Sequence, residues 1–293
     1  MPYSRKIFLI FFIFLVSFNA VIFADKESLE ICSPQFSKQE SGSIILLDKK
    51  QFTVFYNTDK LIPELVCWHL DTSDLGNNGR SNNFKPDPDL PKTCYAVVKQ
   101  DYQFLTYGFD RGHVCPSADR TADREDNSAT FLMTNMIPQA PDLNRIVWKD
   151  FEAFERTLVD AQNENELYII AGQFGSGGTS ECGTFSEIPL ISAGGKGRHI
   201  AVPAYCWKII LLLPKGEDDL SRITAETTVI SVCMPNTQGL QNEGGWEHYL
   251  CNVDYIEEQC GWDFFTALPD EIEDTLESRI FTNAAGAQEE NIW

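Results

Sequence analysis

The chain has no cysteine pair spaced as CxxC and no cysteine–histidine run. Tetrahedral zinc sites need such closely spaced sulfur and nitrogen ligands, so a zinc centre is not expected. Histidine is scarce at four residues, so each can be weighed singly as a base. Positive charge is scarce too: 23 lysines and arginines stand against 43 aspartates and glutamates, a formal net charge of −20. That excludes a broad basic surface gripping nucleic acid by its phosphates; such a substrate would need a locally positive cleft and would bind weakly and salt-sensitively. There is no internal repeat, low-complexity tract or dividing linker, and no later apolar run is long enough to cross a bilayer. At 43% apolar and 12% aromatic residues, a disordered or fibrous chain is also excluded.

What is present begins with a leader. Arg5 and Lys6 precede an apolar run from Ile7, and Ala24 stands before the charged Asp25. This is the layout of a secretory signal peptide, residues 1–24, cleaved after Ala24. An uncleaved anchor is the alternative, because the run approaches bilayer-spanning length. Cleavage leaves residues 25–293 as a single domain with its core at about 50–280. The expected product is secreted, or held in a periplasm or organelle lumen, without stable membrane association. The nine cysteines, Cys32, Cys67, Cys94, Cys115, Cys182, Cys206, Cys233, Cys251 and Cys260, then read as a disulfide framework. Their odd number leaves at least one thiol unpaired or intermolecular.

Residues 25 to about 45 read as a polar opening segment pinned by Cys32. Alternation in QFTVFYN from Gln51 predicts a strand, and LVCWHL over 65–70 a second. The stretch 71–90, rich in Asp, Asn, Gly, Ser and Pro, is a long loop of a length uncommon unless functional or disordered. YQFLTYGF over 102–109 reads as a strand, and TFLMTN over 130–135 as a short buried run. Leu143, Val147, Phe151, Phe154 and Leu158 share one helical face behind the start signals Pro141 and Asp142, predicting a helix to about Gln162. ELYIIAG (166–172), AYCWKIILLLP (204–214) and TTVISVCMP (227–235) read as strands, each closed by Gly or Pro. WDFFTALPDEIEDTLES gives a loop and a short helix whose acidic run, Asp270–Glu277, reads as a solvated face. The fold class is α+β, a mainly antiparallel central sheet flanked by helices.

The chemistry concentrates in Asp110-Arg111-Gly112-His113 and in the segment from Asn144 to Glu152. Phosphodiester hydrolysis needs a water deprotonated near neutral pH, which suits histidine. A hard cation on oxygen ligands can neutralise phosphate and assist the leaving oxygen. Arginine offers a permanently charged fork to phosphate. Asn144, in the first turn of the predicted helix, can present a neutral amide oxygen. Glu152 lies roughly 12 Å further along an ideal helix and about 80° around it, within reach of a metal-bound water. Gly112 would allow a tight backbone path exposing the imidazole.

YGFDRGHVCP, TNMIPQAPDLNRIVWKDFE and CGWDFFTALP resemble the DNA/RNA non-specific endonuclease family. That family includes secreted bacterial nucleases and mitochondrial endonuclease G, within the ββα-metal or His-Me finger group. The resemblance implies a ββα-metal catalytic module in which His113 is the general base. It makes Asn144 the sole direct protein ligand of a hydrated magnesium ion, with manganese as a substitute. Glu152 then orients the ion's waters, Arg111 and Arg80 (in RSNNFKPDP) bind the scissile phosphate, and Asn135 supports the site. The implied substrates are DNA and RNA without strong sequence specificity, cut to leave 5′-phosphate ends. Cys115 departs from the small apolar residue expected after the histidine; it reads as a buried structural cysteine, a disulfide partner or a redox-sensitive thiol. The alternatives are a secreted binding protein on the same fold that has lost turnover, and a phosphodiesterase acting on smaller esters.

Overall fold

A computed structural model describes residues 26–36, 43–159, 162 and 164–282. The leader and the tail from Asn283 lie outside the described residues. Strand Tyr205–Pro214 runs through the middle of the structure, hydrogen-bonded antiparallel to Asn165–Phe174 on one side and Thr228–Pro235 on the other. Ile62–Leu70, Thr53–Asn57 and Ile44–Asp48 extend the sheet beyond Asn165–Phe174, and Leu250–Cys251 closes the opposite edge, giving seven antiparallel strands.

The central strands are apolar on both faces because both faces are covered. Trp207, Ile209, Leu211 and Leu213 pack into one core with Ile31, Val253, Ile256 and Phe264. Cys206 and Ile210 point the other way, into a second core with Val66, Trp68, Trp148 and Phe151. This period-two division is what a doubly covered strand requires. Each of these large side chains contributes about 1.5–3 kcal/mol by leaving water, so the sheet is a stiff platform.

On the second face sits a small hairpin and the helix that follows it. Asp110–His113 pairs antiparallel with Met136–Gln139, His113 opposite Met136 and Asp110 opposite Gln139. The chain then turns through a π turn, Leu143–Val147, into the α-helix Trp148–Thr157. Leu143, Val147, Trp148 and Phe151 are buried and Phe154 and Leu158 packed against them, as the helical spacing predicts. The helix stops earlier than Gln162, because Asn165 Nδ2 donates to the Leu158 carbonyl at 2.9 Å and ends the ladder there.

Other expectations change. Residues 102–109 are not a strand: Lys99–Tyr102 is a 3-10 turn and Phe104–Tyr107 a single α-turn. Gln103 between them takes the left-handed conformation (φ 42°, ψ 51°), which breaks any extended path, and Gly108 at φ 71° ends the second turn. The opening segment carries a helix, Lys26–Cys32, whose Ile31 and Cys32 are buried against the sheet. The expected disulfide framework does not appear, since all nine cysteines stand as thiols. Cys67 is hydrogen-bonded to Cys32, and burial pushes its thiol well up. Cys115 is a buried core thiol, raised by the same desolvation. Among the described residues no helix is long and apolar enough to cross a membrane.

Candidate active site

The hairpin delivers His113 at the end of its first strand, 6% exposed. Its ring stands edge-on to Phe131, centroids 4.8 Å apart, and tilted on Phe84 at 5.6 Å. The two phenylalanines are themselves edge-to-face at 5.0 Å. Each also carries a guanidinium, Arg80 over Phe131 at 5.0 Å and Arg111 over Phe84 at 4.5 Å. Two rings thus fix the imidazole and both arginines together. Burial, then Arg80 and Arg111, hold the His113 pKa well below its ordinary 6.5. The imidazole is therefore neutral and able to accept a proton. Its Nε2 is shut off from solvent with no hydrogen-bond partner among the described residues.

Gly112 is required for a different reason from a tight backbone path. Its φ is not positive; instead a Cβ there would lie 1.9 Å from Gln139 Oε1 on the paired strand. Asn135 is wholly buried, accepting from the Cys115 amide and donating to the Cys115 and Thr130 carbonyls, each at 2.9 Å. It ties the residues after His113 to the start of the return strand.

The helix side supplies Asn144 and Glu152. Asn144 Nδ2 donates to Asp110 Oδ2 at 2.9 Å, and Asp110 also takes both Arg145 forks at 2.7 Å. Asp110 therefore anchors the helix to the hairpin across the chain. An α-helix leaves residues eight apart about 80° out of line. The π turn containing Asn144 takes one extra residue per loop and removes much of that overshoot. Asn144 and Glu152 accordingly face one cavity.

That cavity, of about 380 Å³, is lined by His113, Asn144, Glu152 and Arg80, with Arg145, Lys149 and Arg156 at its sides. Four cationic side chains and one carboxylate line it on a strongly acidic chain, Arg145 and Arg156 being paired with Asp110 and Asp119. Arg111 is not in that lining; its buried Nε has no hydrogen-bond partner among the described residues, and it borders a smaller cavity with Phe104, Asp110 and Arg145. Burial raises the Glu152 carboxyl to about 7 against the opposing pull of Lys208, with Asp119 raising it further. A larger cavity of about 420 Å³, beside His69, Arg120 and Glu166, holds none of the predicted residues.

Behind Glu152 lies a charged group that sequence reasoning missed. Lys208, from the middle of the central strand, is wholly buried and pairs with Glu155 at 2.8 Å. Its ammonium lies 5.0 Å from the Trp148 ring and 5.3 Å from that of Trp68. Glu155, Glu152 and Asp119 outweigh the burial that would strip its charge. Asp119 in turn accepts from Arg156 at 2.9 Å and from Trp68 Nε1 at 3.1 Å. The signal was a lone lysine inside AYCWKIILLLP, where a charge needs a buried partner.

The antiparallel sheet carrying this hairpin, turn and helix has a solved counterpart. It superposes on the solved structure described as the EndoG/EndoGI complex with a TM-score of 0.60 at 22% identity, covering 77% of this chain and 87% of that one. Residues 28–271 match the family model for DNA/RNA non-specific endonucleases, and the chain belongs to that family. It is 41% identical over 235 residues to a nuclease of Nostoc sp., spanning 80% of this chain and 78% of that protein. It is 27% identical to a nuclease of Syncephalastrum racemosum, covering 76% and 68% of the two chains. It is 27% identical to the mitochondrial nuclease EXOG of Xenopus laevis, covering 73% of this chain and 56% of that one. The chain is thus an endonuclease acting on nucleic acid.

Proposed function

We propose that the protein is an exported, magnesium-dependent endonuclease that cuts DNA and RNA with little sequence preference and leaves 5′-phosphate ends. The observation that carries this is the shared cavity: a neutral imidazole, an amide, a carboxylate and an arginine converge where a phosphate-sized group fits. His113 takes the proton of the attacking water, a task for which its depressed pKa keeps it unprotonated. Arg80 meets a non-bridging phosphate oxygen, and Arg111, held beside His113 through Phe84, adds positive field from outside the lining.

The donor set suits a hard cation. With its nitrogen committed to Asp110, Asn144 has Oδ1 left to offer, and Glu152 adds a carboxylate beside it. So few protein oxygens match magnesium, which keeps several waters, better than an ion needing a full protein cage. Asn144 would hold the ion directly and Glu152 through water, with manganese as a substitute. When bound, the cation supplies Lewis-acid stabilisation of the phosphate and the leaving oxygen. Export rests on the leader through Ala24 and leaves residues 25–293 as one nuclease unit.

The test is digestion of long DNA and RNA by purified protein across magnesium concentrations, with end-group analysis. Magnesium-dependent cleavage of both polymers to 5′-phosphate ends is expected. Full activity in excess chelator, or 3′-phosphate ends, contradicts the reading.

A further inference from the structure

We propose that the C-terminal carboxylate cluster centred on Glu277 is a calcium-binding site, separate from the nuclease cavity. The sequence presents Asp270–Glu277 as a solvated acidic helix, but the end of that helix turns inward. Glu277 is 5% exposed; its carboxyl is hydrogen-bonded to that of Glu257, while its Oε1 is cut off from solvent and has no hydrogen-bond partner among the described residues. A carboxylate oxygen buried without a donor is costly, and a bound cation removes the cost.

Four further carboxylates converge on it. Asp254 and Glu257 come from one face of helix Val253–Cys260, three residues apart; Glu273 lies one turn before Glu277; Asp263 comes from the short strand Trp262–Asp263. Oxygens of Asp254, Glu257 and Glu277 lie within 4.8 Å of one another, and so do those of Asp263, Glu273 and Glu277. Ligands on opposite sides of a calcium ion stand about 4.8 Å apart, twice a bond of roughly 2.4 Å. None of the five has a lysine or arginine partner among the described ion pairs.

Calcium is the better fit because three separate elements supply only hard oxygens, and calcium accepts six to eight of these in flexible geometry. Glu257 keeps one oxygen on the Phe264 amide at 2.7 Å and has its second to offer. A cation there clamps the last two helices to the strand that pairs with Gln35–Phe36.

Thermal unfolding and calorimetric titration with calcium chloride alone, on chelator-treated full-length protein at pH 7.5, test this. Calcium at about 1 mM should raise Tm by several degrees in the wild type, since affinities down to the millimolar class stabilise by mass action. Asn144→Ala should show the same rise, because the nuclease cavity is not involved. Glu277→Gln should lose the rise, and Asp263→Asn, at an exposed position, should weaken binding by at least ~10-fold. The Asp263→Asn and Glu273→Gln variants keep the test decisive if Glu277→Gln does not fold. Unchanged calcium affinity in those variants, a rise lost in Asn144→Ala, or no wild-type response to calcium overturns the proposal. So does a Tm that rises on acidification alone, which would assign a shared proton to the cluster.

Discussion

Asn144 gives its amide nitrogen to Asp110 at 2.9 Å, and this single bond decides which end of the amide has an oxygen to offer. Asp110 is pinned in turn by the Arg145 fork, so the orientation is over-determined. The hairpin thereby sets the chemistry of the helix, and the aspartate of the DRGH tetrapeptide acts as a positioning residue.

Asp110→Ala should raise the magnesium concentration needed for half-maximal rate by ~10–100-fold, the usual cost of losing a group that orients a metal ligand. The rate at saturating magnesium should fall far less. A magnesium titration of initial rates checks this, and an unchanged half-point would separate Asp110 from the cation.

The pH profile carries two signs. His113 is depressed, so its base form persists below pH 6.5. Glu152 is raised to about 7 by burial, so its ionised form is lost first as pH falls. A cation beside Glu152 pulls its pKa back down. The acid limb of kcat/KM should therefore move to lower pH as magnesium rises. In Glu152→Gln it should lie below pH 6.5 and ignore magnesium. A limb in that variant at or above 6.5 contradicts the assignment of His113.

Lys208→Met should cost about 3–5 kcal/mol in chemical denaturation, because it leaves the buried Glu155 carboxyl without its cation. Pairing it with Glu155→Leu should recover most of that loss. Lys208 also lowers the Glu152 pKa, so the single variant should shift the acid limb of activity upward. A single variant as stable as the wild type would show that the pair bears no charge.

Much of the fold was legible because burial on two faces leaves an unmistakable apolar run, as in the strands Asn165–Phe174 and Tyr205–Pro214. The segment 102–109 misled because one residue, Gln103, adopts a left-handed conformation that no side-chain pattern announces. His113, Asn144 and Glu152 were picked out by residue type and spacing and Arg80 by the family resemblance, and the four share a cavity. Arg111 was picked out by the same tetrapeptide yet lies outside that lining, since its guanidinium rests on Phe84. The π turn that aligns Asn144 with Glu152, and the rings of Phe84 and Phe131 that hold His113, depend on contacts between segments far apart in the chain. Acidic residues read alike whether solvated or buried, which is why Glu277 was hidden.

The central claim is that the imidazole at position 113 deprotonates the attacking water. Single-turnover cleavage of a defined DNA duplex at neutral pH and saturating magnesium tests it most directly. His113→Ala should be slower than the wild type by at least ~10²-fold, with binding of the uncut duplex retained. A His113→Ala protein that cleaves at the wild-type rate would contradict the account.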